Sequence, residues 1–274
     1  DHHDALRLRF SRSAAGWLSL NLGIGERIML SRVDLSREDA ARQDSLAREA
    51  AAALNSQLDL SAGPLIRAAW VDFGAGAPRQ LLIAIHHLAV DGVSWRILLE
   101  DLQAACHQLR RSETIKLPAK TTSFKTWAER VQDYARSDAL RKEAEYWLRL
   151  PAWNAGALPR DRASGDITEA SARTVSVALD ADETDRLLHK VPQAFRTQIN
   201  DVLLTALGMA LGKWMSTPHI QLELEGHGRD LIADGSDLSR TVGWFTSIFP
   251  VRLDVSTTGG LTALLKSVKE QLRA

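Results

Sequence analysis

Residues 81–102 read LLIAIHHLAVDGVSWRILLEDL. An apolar run ends in two adjacent histidines, His86 and His87, and Asp91 and Gly92 follow. From there apolar residues recur at three- and four-residue spacing. The pattern predicts a strand, a tight connection and a helix over 93–109, with Leu98, Leu102, Ala105, Cys106 and Leu109 on its apolar face. Successive strand residues point to opposite faces. One histidine is therefore expected to pack inside, while the other faces a cleft. Histidine suits proton transfer, because its reference pKa of about 6.5 lies near working pH. The plain alternative is a hydrogen-bonded structural histidine. A metal site lacks support, since neither a third convergent ligand nor an H-E-x-x-H helix accompanies the pair. Gly92 is read as permitting an unusual backbone geometry. Asp91 is read as a helix cap or an arginine partner, not as a triad member.

Upstream, ALRLRF, GWLSLNLG and RIMLSRVDL alternate in the manner of half-buried strands. Ser36 is placed as the N-cap of the helix that follows, with Asp39 three residues on. PLIRAAWVDF and RQLLIAIHH flank GAGAPR and predict a hairpin. Downstream, residues 123–150 predict two consecutive helices carrying Trp127, Tyr134, Tyr146 and Trp147. PAWNAGALPRDRASGD, 151–166, has no periodicity and is taken as the lobe boundary, giving lobes of 1–160 and 161–274. ARTVSVAL then predicts a strand, and Asp180 with Glu183 a capping box. TQINDVLLTALGMALGKW predicts a helix buried on most sides. HIQLELEGHGRD predicts a strand ending at Gly226, and TVGWFTSIFPVRLDV another that Pro250 marks as an edge or a bulge. A last helix starts near Leu261. This alternation predicts mixed α/β layers in two lobes.

The 274 residues are 45% apolar and 25% charged, an ordinary globular composition. Lys+Arg and Asp+Glu are both 34, so no net field draws nucleic acid or anionic lipid. The single cysteine, Cys106, excludes an intrachain disulfide and is read as a small buried core residue. No apolar run reaches the ~18 residues of a membrane span. The opening DHHDALRLRF has neither Met nor a signal-peptide pattern and reads as a fragment beginning in mid-strand.

A second constellation lies in LELEGHGRD. Alternation sends Leu222 and Leu224 to a core and puts Glu223 and Glu225 on the other face. Such glutamates are commonly just solvated. Gly226 and Gly228 allow close backbone approach, and His227 and Arg229 add polarity at the same point.

Taken together, these stretches resemble a known family. HHLAVDGVSW resembles the H-H-x-x-x-D-G motif of condensation-type domains in nonribosomal peptide synthetases. VSWRILLEDL is similar to the epimerization branch. TSFKTWAERV, FRTQINDVLLTAL, LEGHGRD and RTVGWFTSIFPV resemble further motifs of that branch in family order, and HHDALRLRF its early arginine motif. The resemblance covers essentially the whole chain. It implies a two-lobed fold like chloramphenicol acetyltransferase, with a tunnel between the lobes and the second lobe incomplete. It also implies epimerization, L to D, at the Cα of an aminoacyl or peptidyl thioester on a carrier protein's phosphopantetheine arm. His87 and Glu225 are the implied proton-transfer residues, and His87 could instead stabilise the enolate oxygen. His86, Asp91, Gly92 and Arg7 are implied supporting residues, with Asp91 paired to Arg7. Ser94, Gly226, His227 and Trp244 are expected to line the tunnel, although Trp244 and Phe245 are read more readily as core packing. Asp230 replaces the family's glutamate. No resident cofactor or metal is implied. The implied partners are a carrier domain upstream and a condensation domain downstream, in the cytoplasm. The alternatives are a condensation or dual epimerization/condensation domain, a non-catalytic carrier-binding platform, and a stand-alone acyltransferase.

Overall fold

The computed structural model describes the chain except residues 15, 26–27, 150–156, 163, 166–167, 230–234, 257–258 and 274. The expected boundary stretch lies partly, and Asp230 wholly, outside the described residues. The chain divides into two compact units. Unit 1 comprises Asp1–Arg141 and Gly226–Ser247, and unit 2 comprises Lys142–Glu225 and Ile248–Ala274. No helix among the described residues is long and apolar enough to cross a membrane.

Unit 1 opens with a 3-10 turn, Asp4–Arg7, followed by the antiparallel hairpin β1 (Leu8–Ser13) and β2 (Gly16–Asn21). The three-stranded sheet has the order β3 (Leu30–Asp34), β4 (Ile66–Asp72), β5 (Gln80–Ile85). β3 and β4 run parallel, with Val33 beside Val71, because helix α1 (Ala40–Ser56) crosses between them. β4 and β5 form the antiparallel pair that the glycine-rich loop predicts. Leu54 of α1 closes a core with Ala69 and Ala84 of the sheet. The cap of α1 is Asp39, whose carboxylate accepts the Arg42 N–H at 2.9 Å, and not Ser36. Ser36 lies in the preceding turn, where its own N–H is taken by Asp34.

Helix α2 (Gly92–Arg110) follows, then α3 (Phe124–Tyr134) and α4 (Asp138–Arg149), as the two consecutive helices predict. The buried face of α2 is Ser94, Ile97 and Asp101, and Ile97 packs with Ala5 and Val242. The expected apolar face is wrong in its second half. Leu102, Leu109 and Cys106 are exposed, because the packing partners of α2 stand at its first turns.

Unit 2 holds the short helices α5 (Ala181–Asp185) and α6 (Val191–Phe195), then α7 (Ile199–Met215), β6 (His219–Gly226), β7 (Ser247–Asp254) and α8 (Gly260–Gln271). The Asp180–Glu183 capping box forms as expected. Leu204, Ile220, Leu253, Leu264 and Val268 make the core between α7, α8 and the β6–β7 pair. The helix α7 is buried on one face only, since Leu203, Leu207, Met209 and Trp214 are exposed. Gly208 and Gly212 let α7 approach Val255 closely. An added Cβ would stand 3.0 and 3.1 Å from its methyl groups. Residues 172–179 are not a strand. Val175 and Val177 are 92% and 96% exposed, and no described strand pairs with them. Alternation yields a strand only where a neighbouring ladder takes up the backbone hydrogen bonds.

Candidate functional site

The strand β5 stops at Ile85, one residue before the histidines. His86 caps a 3-10 turn, His87–Ala89, and its Nδ1 accepts the Leu88 N–H at 3.2 Å. Its own backbone N–H donates to the Leu65 carbonyl at 2.9 Å. His87 is exposed. His86 is half-buried and hydrogen-bonded while His87 is exposed, a difference that comes from the turn and not from strand alternation. Among the described residues the His87 ring has no hydrogen-bond partner. It lies edge to Trp244, with centroids 5.7 Å apart and planes at 68°.

Asp91 caps α2 and is 3% exposed. Its Oδ1 accepts the Ser94 N–H at 2.7 Å, and its Oδ2 accepts the Phe245 N–H at 3.1 Å. Arg229 Nη2 donates to both oxygens, at 3.1 and 3.3 Å. Its Nη1 donates to the carbonyls of Leu238 at 2.9 Å and Thr241 at 2.7 Å, and the guanidinium stacks 4.0 Å above Phe245. Burial alone would raise the Asp91 pKa. Hydrogen bonds from Ser94, the Arg229 charge and the Phe245 N–H outweigh it and hold the carboxyl below its ordinary value. Burial likewise lowers Arg229, and Asp91 opposes that shift.

The expected Asp91–Arg7 pair does not form. Arg7 Nη2 pairs with Asp4 at 2.6 Å, and its other nitrogens donate to the carbonyls of Asp1, His3 and Leu22. Three residues apart in one turn, Asp4 reaches Arg7 locally, and Arg229 fills the place at Asp91. Ser94 lines nothing, because it is fully buried. Its hydroxyl donates to the Gly243 carbonyl at 2.9 Å and accepts the Gly243 N–H at 3.1 Å and Arg229 Nη2 at 3.0 Å. Gly92 has an ordinary backbone at the first helical position, and a Cβ there would meet open space. The strained glycine is instead Gly228, at φ +65°, where a Cβ would collide with the Phe245 carbonyl. Phe245 packs as expected, 2% exposed, whereas Trp244 is 41% exposed and does not.

Glu225 sits one residue before the end of β6, exposed with Glu223, while Leu222 and Leu224 pack on the core of unit 2. Its carboxylate has no hydrogen-bond or ion-pair partner among the described residues. Gly226 ends the strand, and exposed His227 accepts the Arg229 N–H at 3.3 Å through Nδ1. His87 belongs to unit 1 and Glu225 to unit 2.

Other places among the described residues have features of a ligand site. His2, His3 and Asp101 lie close enough together to surround a cation. Asp101 is already engaged by His3 at 2.9 Å and by Arg240, so the positive charge there is supplied by the protein. A groove of about 560 Å³ in unit 2 is lined by Met209, Lys213, Pro218, Val255, Leu261 and Leu264. None of the expected site residues borders it.

Sequence reading underrated Arg229 as mere added polarity. Its only signal was its place three residues after Gly226 in a motif-like run. The partnership with Asp91 spans 138 residues.

The condensation-domain family model matches residues 1–274. A linear gramicidin synthase chain of Brevibacillus parabrevis is 48% identical over 273 residues, all of this chain and 4% of that protein. Chondramide synthase cmdD of Chondromyces crocatus is 46% identical over 278 residues, 7% of its length. Among solved structures, the epimerization domain from the third module of tyrocidine synthetase B superposes with a TM-score of 0.91 at 40% identity. The match covers 99% of this chain and 62% of that one. The first condensation domain of the calcium-dependent antibiotic synthetase has the same fold, with a TM-score of 0.74 at 19% identity. The chain thus spans a small fraction of its curated relatives and under two thirds of these solved domains. With its mixed α/β, chloramphenicol-acetyltransferase-like fold and its motifs in family order, the chain belongs to the condensation-domain family of nonribosomal peptide synthetases.

Proposed function

We propose that this chain acts in epimerization, interconverting L and D configuration at the Cα of an aminoacyl or peptidyl thioester. The observation that carries this reading is the contrast between solved relatives. Identity is 40% to an epimerization domain and 19% to a condensation domain of the same fold. The substrate arrives on the phosphopantetheine arm of a carrier domain, and the domain contributes no cofactor of its own. The carrier lies upstream and a condensation domain downstream in a cytoplasmic synthetase.

A thioester carbonyl acidifies the hydrogen on the neighbouring Cα. One protein base takes that proton, and the bonding electron pair moves onto the carbonyl as an enolate. A protein acid then returns a proton to the opposite face, so atoms and electrons balance with no net change beyond configuration. His87 and Glu225 are the two proton-transfer groups in this reading, each an ordinary acid–base residue. Both are exposed, and neither has a hydrogen-bond partner among the described residues. His227 and Gly226, neighbours of Glu225 along the chain, shape the approach of the thioester.

The match of the whole chain to the condensation-domain model favours peptide-bond formation as a second reading, with His87 assisting an amine. One experiment separates them. The full-length protein is given a single carrier-bound aminoacyl thioester in deuterated water, without an acceptor. Deuterium at Cα together with racemisation is the expected result, lost in Glu225→Gln and in His87→Ala. No exchange without an acceptor, or full activity in either variant, overturns the assignment.

A further inference from the structure

Among the described residues, His87 lacks the feature that usually aims a working imidazole. In hydrolase triads a carboxylate holds the second ring nitrogen and fixes the ring. Here the nearest candidate in the motif, Asp91, is fully engaged by Ser94, Phe245 and Arg229. The ring contact to His87 comes from Trp244. The backbone around Trp244 is held on both sides. Before it, the Gly243 N–H and carbonyl both bond Ser94 Oγ. A Cβ on Gly243 would overlap the Phe124 ring, so no side chain fits there. After it, the Phe245 N–H bonds Asp91 and the Phe245 ring is buried among Phe124, Trp127 and Arg229. Trp244 is left outside that core, its indole 5.7 Å from the imidazole.

We infer that Trp244 is a positioning residue that sets the orientation of the His87 ring, with the Asp91–Ser94–Arg229 network fixing Trp244 in turn. This rests on the reading of His87 as a proton-transfer group. Aspartate four residues after the histidines then acts on the chemistry at second hand, through the backbone of Gly243 and Phe245. An aromatic pair of this kind biases a ring orientation by about 2- to 10-fold.

The test uses the full-length protein and a panel of L-aminoacyl pantetheine thioesters, following Cα deuterium exchange. Trp244→Ala is expected to lower kcat by roughly 3- to 10-fold, with KM changed by less than about twofold. Trp244→Phe, which keeps a ring, is expected to recover most of the loss. The His87 imidazole proton resonances, assigned by comparison with His87→Ala, shift when the indole is removed. Circular dichroism of the folded variants stays unchanged. A rise in KM at constant kcat would make Trp244 a substrate contact and overturn the inference. So would resonances that ignore the indole. Full activity of His87→Ala would instead remove the underlying reading, while the resonance shift still judges the contact by itself.

Discussion

The two ends of one motif behave in opposite ways. Asp91 is buried and saturated with partners, held by nearby Ser94 and by Arg229 and Phe245 from far along the chain. His87, four residues earlier, is exposed and touches one indole. The difference shows that adjacency in a motif is not shared duty. One end stabilises the loop that carries Arg229, Gly243 and Phe245. The other is left exposed beside Trp244. Glu225 and Arg229 repeat the contrast in the second motif, with an exposed carboxylate followed by a buried guanidinium.

The sharpest way to break this contrast is to remove the buried end. Arg229→Ala leaves Asp91 charged and unpaired and is expected to cost about 3–5 kcal/mol in urea unfolding. Unchanged stability would show that the network is not architectural. Ser94→Ala is next, at about 1–3 kcal/mol, because the buried Gly243 N–H loses its acceptor.

Acid should expose the same network. The folded pKa of Asp91 is depressed, so its stabilising contribution is present in full above the unfolded value of about 3.9. It is lost as pH falls through the folded value. Unfolding midpoints are therefore expected to drop below about pH 4, and Asp91→Asn should flatten that drop. An equal acid slope in the variant would assign the loss to other carboxylates.

The free end should behave in reverse. His87→Ala and Glu225→Gln are expected to change stability by no more than about 0.5 kcal/mol, while exchange at Cα falls by about 100-fold or more. Smallest of all, Gly92→Ala should leave the melting temperature nearly unchanged, since a Cβ there meets open space. A fall in turnover with normal melting would place Gly92 beside the ligand.

Much of the architecture was legible because it is local. The strand–helix order of β3 and α1, the β4–β5 hairpin, the α2 helix and the Asp180–Glu183 box all follow from periodicity, glycine placement and caps within a few residues. The misreadings share one cause. Residues 172–179 alternate like a strand, but pairing needs a neighbour. Cys106 and Leu109 carry a helical stripe, but burial needs a partner opposite them.

The sequence by itself determined the family, most of the order of elements and the residue types capable of proton transfer. Each is written in motifs short enough to be read along the chain. The tertiary structure alone decided which arginine holds Asp91, why Trp244 rather than a carboxylate meets His87, and why Ser94 lines nothing. Those choices depend on contacts 135 to 157 residues apart. No local pattern encodes which of several arginines or aromatic rings will fill such a place.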